Sequence, residues 1–68
     1  MVEFEIETNL GRRKFVRVLE VFIHHYTGEM IRRVRIDYIS SSSGEACSGY
    51  KTLNEREFNE MLERRVHD

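Results

Sequence analysis

A chain of 68 residues with 40% apolar and 34% charged side chains has the composition of an ordinary folded domain, not of a disordered segment. Its formal net charge of −1 provides no global basic field to hold a nucleic acid. No apolar run approaches the roughly 20 residues that span a bilayer.

At this length a single domain, residues 1–68, is expected, near the lower size at which one apolar core suffices. Cys47 is the one cysteine, so no internal disulfide can staple the fold. The start, Met1-Val2-Glu3-Phe4-Glu5, is acidic and alternating, whereas a signal peptide needs a basic start and an apolar stretch. A cytoplasmic protein is the simplest expectation. Arg outnumbers Lys nine to two, and the positive charges gather at Arg12, Arg13, Lys14 and Arg17 and at Arg32, Arg33 and Arg35.

The first element is a strand. Val2, Phe4 and Ile6 alternate with Glu3, Glu5 and Glu7, the pattern of a half-buried strand with an acidic outer face. A turn centred on Leu10-Gly11 would set Ile6 opposite Phe15, Val2 opposite Leu19 and Glu7 opposite Lys14.

Residues 15–26 can be read in two ways. Phe15, Val18, Leu19, Phe22, Ile23 and Tyr26 have helical spacing, with Gly28 as a C-cap. The same stretch is rich in Val, Ile, Phe and Tyr, which suit strands. If Thr27-Gly28 is a two-residue hairpin loop, Val21 meets Val34, Leu19 meets Ile36, Glu20 meets Arg35 and Phe22 meets Arg33. Apolar then faces apolar and acid faces base, which favours two strands. The common apolar face would be Val2, Phe4, Ile6, Phe15, Leu19, Val21, Val34 and Ile36.

After Ile39 the run Ser40-Ser41-Ser42-Ser43-Gly44-Glu45 is a polar turn, and residues 46–52 form a weaker strand. Asn54 then predicts a helix over about 54–66. It is a good N-cap, Glu57 is its capping-box partner, and Leu53 with Phe58 makes a hydrophobic staple. Phe58, Met61, Leu62 and Val66 form the apolar stripe.

The fold expected is therefore mainly β (α+β). It is a four-stranded antiparallel meander curling into a small SH3-like, partly open barrel, with a C-terminal helix. The alternative is β-α-β-β-α. In element order, and in the ending Leu53, Glu57-Phe58, Leu62, the chain resembles small SH3-like or Tudor-like modules found among short phage and mobile-element proteins. No functional residue is carried over from that resemblance.

No constellation names a reaction. Glu3, Glu5 and Glu7 would sit about 7 Å apart on a solvated strand face. His24 and His25 on a strand would point to opposite faces and could not chelate one ion together. Cys47 reads as a small, partly buried thiol, and the serine run lacks the spacing of a phosphate loop. No catalytic residue, metal or cofactor is expected. The registers above place Arg17 on the apolar face, opposite Phe4 and Tyr38, with its head at the rim.

The surface expected to bind a partner is Phe22, His24, Tyr26, Arg33 and Arg35, where aromatics interleave with arginine. Arg12, Arg13, Arg17 and Arg32 are candidates for a rim or nucleic-acid contact. The competing expectation is that the C-terminal helix covers Phe22 and Tyr26. The function read from these features is a small non-enzymatic protein-interaction module of the phage or mobile-element accessory kind. The alternative is a nucleic-acid-binding module using the Arg/aromatic face. Another protein is the first partner expected, then a second copy of the chain or a nucleic acid, with no membrane.

Overall fold

In the computed structural model, which describes residues 2–8 and 10–66, the helical reading of residues 15–26 fails and the meander forms. The elements are β1 (Glu3–Glu7), β2 (Arg13–Ile23), β3 (Met30–Ile39), β4 (Ala46–Asn54) and α1 (Glu55–Glu63). The strands lie in the order β1-β2-β3-β4, each antiparallel to the next. The sheet does not close on itself, and the helix lies against one face of it. No helix is long and apolar enough to cross a membrane.

The turns decide the registers, and each ends in a glycine at positive φ. In the first, the Thr8 and Arg12 backbones are bonded and Gly11 (φ 74) is the last of three loop residues. In the second, the His24 N–H donates to the Glu29 carbonyl at 2.8 Å and the Gly28 N–H donates back to the His24 carbonyl at 2.7 Å. The loop is thus His25–Gly28, four residues, with Gly28 (φ 70) taking the left-handed position open to a residue without Cβ. The β3–β4 loop repeats this pattern between Ser40 and Glu45.

These loops correct the expected pairings. Ile6 pairs with Lys14, not Phe15, and Phe4 pairs with Val16. A one-residue slip turns every side chain of a strand to its other face. Val16 and Val18 therefore point to the core, while Phe15 and Arg17 point away. In the second hairpin Phe22 pairs with Ile31, Val21 with Arg32 and Glu20 with Arg33. The register shifts between Val18 and Glu20, leaving Leu19 as the extra residue of a β-bulge.

The core is Phe4, Ile6, Val16, Val18, Val34, Ile36, Leu53 and Phe58, with Met61 and Leu62 packed against it. Val16 and Val34 have no exposed surface at all. Val2, Leu19 and Val21, expected in this core, are exposed. Phe58 meets Phe4 edge-on, ring centroids 6.0 Å apart. Such a pair adds about 0.5–1.5 kcal/mol beyond its buried area.

The helix start is as the sequence predicts. Asn54 Oδ1 accepts from the Glu57 N–H at 2.8 Å, and Glu57 Oε1 accepts from the Asn54 N–H at 3.0 Å. Leu53 and Phe58 are both in the core, completing the staple. The helix ends earlier than expected, at Glu63. Residues 64–66 leave it to pair along the outer edge of β1. There the Glu7 N–H donates to the Arg64 carbonyl and the Val66 N–H to the Glu5 carbonyl.

Candidate interaction surface

The two faces of the sheet carry different chemistry. On the inner face the core is covered by α1. Arg32 of β3 joins it there, its guanidinium 4.2 Å from the centre of the Phe58 ring. Its Nη1 is 3.7 Å from Glu55 Oε2, too long for a hydrogen bond, and makes none with any described residue. Arg32 is thus a packing residue over the helix start, not an open rim contact.

On the outer face, cross-strand neighbours pair acid with base. Arg17 Nε donates to Glu3 Oε1 at 2.7 Å, and Arg13 Nη1 donates to Glu5 Oε2 at 3.3 Å. The expectation that Arg17 lies among core side chains is overturned by the register slip, which puts it beside Glu3. Arg35 Nε donates to Asp37 Oδ1 at 3.1 Å, and its Nη2 donates to Ser48 Oγ. The Ser48 hydroxyl donates to the same carboxylate at 2.6 Å. That bond, with Arg35 beside it, holds the Asp37 carboxyl below the usual carboxylate range. The half-buried Phe15 lies beside this network. The Arg33 guanidinium is 5.7 Å from the centre of the Tyr50 ring on β4.

The molecule is elongated, with extents of 41 × 23 × 20 Å, and the end of the β2–β3 hairpin forms an arm whose β3 side is flanked by β4 as far as Ile31. β1 accompanies β2 only as far as Val18, whose N–H donates to the Val2 carbonyl. Beyond it, no described residue pairs with the outer edge of β2. The side chains here are apolar and exposed: Val21 at 54%, Phe22 at 44%, Ile23 at 57% and Tyr26 at 84%. The helix does not cover them, because it packs over β3 and β4, where Arg32 and Leu53 lie, and not over the distal part of β2.

At the tip, His24, His25 and Tyr26 cluster. The two imidazole planes are stacked at 9° with centroids 5.9 Å apart, and the His25 and Tyr26 rings lie 4.1 Å apart. They do not point to opposite faces, because His25 belongs to the loop rather than the strand. His24 Nδ1 accepts a long 3.3 Å bond from the Tyr26 N–H. No group of three metal-ligating side chains occurs among the described residues.

The expected patch is therefore divided. Phe22, His24 and Tyr26 belong to the arm. Arg33 lies at the arm's base, opposite Glu20. Arg35 is tied into the Asp37–Ser48 network. Arg12 is exposed beside the first turn, remote from the tip. What the sequence reading missed is the bare edge of β2, since only the three-residue first turn and the five-residue length of β1 reveal where pairing stops. Comparison with known proteins gives no match, whether to a family model, a curated relative or a solved structure.

Proposed function

We propose that this chain is a small, non-enzymatic protein-interaction module that docks through the distal β2–β3 arm. One observation carries the reading. The arm exposes Val21 and Ile23 on one face of β2, Phe22 on the other and Tyr26 at the tip, beside a strand edge that no described residue pairs with. Exposed apolar side chains and a bare edge are both costly to leave in water, and both suit a protein partner. Size and element order suit an accessory protein of phage or mobile-element type acting in the cytoplasm, with an SH3-like, partly open sheet as the platform.

A nucleic-acid reading has less support. Arg13, Arg17 and Arg35 already donate to Glu5, Glu3 and Asp37. A phosphate backbone would have to displace those carboxylates. A polarisation titration with single-stranded and duplex oligonucleotides at low salt checks this, with no binding expected.

The interaction reading is tested by affinity capture, comparing the wild type with a Val21→Lys/Ile23→Lys double variant. Proteins retained by the wild type and lost by the folded variant are expected. The same proteins retained by both would remove the arm from the reading.

A further inference from the structure

We propose that the arm's occupant is a second copy of this chain, added edge to edge through β2 to make one continuous eight-stranded sheet; this rests on the interaction reading above. Backbone geometry carries the argument. The His24 N–H bonds to the Glu29 carbonyl across the hairpin. In an antiparallel ladder the direction of backbone groups alternates along a strand. The backbones of Phe22 and Glu20 therefore also turn towards β3, and those of Val21 and Ile23 turn outwards. Among the described residues, these outward donors and acceptors meet no partner strand. An extended backbone is the group that satisfies them.

The edge is complementary to itself. With Phe22 opposite Phe22 of the second copy, Val21 and Ile23 exchange backbone hydrogen bonds with Ile23 and Val21 across the symmetry axis. Glu20 then falls opposite His24 on one face, twice, while Val21 meets Ile23 on the other. Acid faces a base, aromatic faces aromatic and branched aliphatic faces branched aliphatic. Sliding the copies to a greater overlap would drive each hairpin into the lane held by Val2 and β1. Centred on Phe22, the pairing runs from Glu20 to His24 of each copy and leaves Val18 to Val2.

The molecule's other edges are less suited. The Arg64–Val66 segment already pairs along β1. The outer strand β4 carries Lys51, a charge of the kind that blunts an edge, and Gly49, which offers a cross-strand partner no side chain.

Sedimentation velocity on the full chain from about 1 to about 500 µM tests this by mass action. A monomer–dimer equilibrium is expected. Hydrogen exchange should show the Val21 and Ile23 amides becoming protected as concentration rises. Val21→Pro removes only an outward N–H, so it should leave the monomer folded by circular dichroism. With one donor lost from each copy, its dimer should weaken about 10- to 100-fold. Val21→Lys, which keeps the backbone donor and adds charge at the edge, should also weaken it.

A wild-type dimer that Val21→Pro and Val21→Lys leave intact overturns edge pairing. So does a wild type that stays monomeric throughout. If the monomeric wild type still captures proteins that the arm double variant loses, the interaction reading survives and only its occupant was misjudged. If it captures none, both fall.

Discussion

The two halves of β2 lie in one strand but obey different rules. From Arg13 to Val18, β2 is flanked by β1 and β3 and sends Val16 and Val18 into a core capped by Phe58. From Leu19 to Ile23 it is more apolar still, yet loses β1 on one side and has no helix above it. Hydrophobic content is therefore not what distinguishes core from surface here. Neighbouring elements decide, and they cover only the proximal half of β2. Stability should reside in that half, and association in the other.

The strongest way to break this comparison is Phe58→Ala. Removing a buried ring of this size costs about 3–5 kcal/mol. At roughly 0.05–0.15 kcal/mol per residue, that is much of what a domain this small possesses. Loss of the cooperative urea transition is expected, and a variant as stable as wild type would mean the core is misplaced.

Asn54→Ala should cost about 1 kcal/mol. It removes the acceptor for the Glu57 N–H while leaving the staple in place, so a lowered but still cooperative melting transition is expected.

In the arm, Ile23→Lys should change monomer stability by no more than about 0.5 kcal/mol, read at a concentration where the wild type is dissociated. A loss as large as that of Phe58→Ala would show that the arm is buried after all.

A finer test uses pH. The Asp37 carboxyl is held below its ordinary range by Ser48 and Arg35, so it stabilises the fold when ionised. That contribution is present above the unfolded-state value of about 3.9 and is lost as pH falls through the lower folded-state value. Asp37→Asn should therefore melt below the wild type at neutral pH, and the gap should close as the solution is acidified through that range. A gap that stays constant with pH would show that Asp37 acts by packing alone.

The features legible in the sequence are those fixed by near neighbours. Asn54 and Glu57 are three apart, so their reciprocal cap needs nothing from the rest of the fold. The alternation of Val2, Phe4 and Ile6 with glutamates marks a strand wherever it pairs. The inward face of β2 is another matter. Phe15, Val16, Val18, Leu19, Val21, Phe22 and Ile23 supply apolar side chains to either face, so composition does not choose between them. Placing Gly11 and Gly28 inside two-residue loops turned Arg17 inwards and Val16 outwards. Treating each as the last residue of a longer loop restores the first register and the second as far as Glu20, where the bulge at Leu19 shifts the rest.

Local order thus determined the first strand and the capped helix and favoured strands over a helix for residues 15–26, because turns, alternation and capping act over a few residues. Only the tertiary structure decided which face of β2 is buried, where Leu19 bulges and where β1 stops. Those depend on how loops close and on which elements lie alongside, and a single residue of slip exchanges inside for outside.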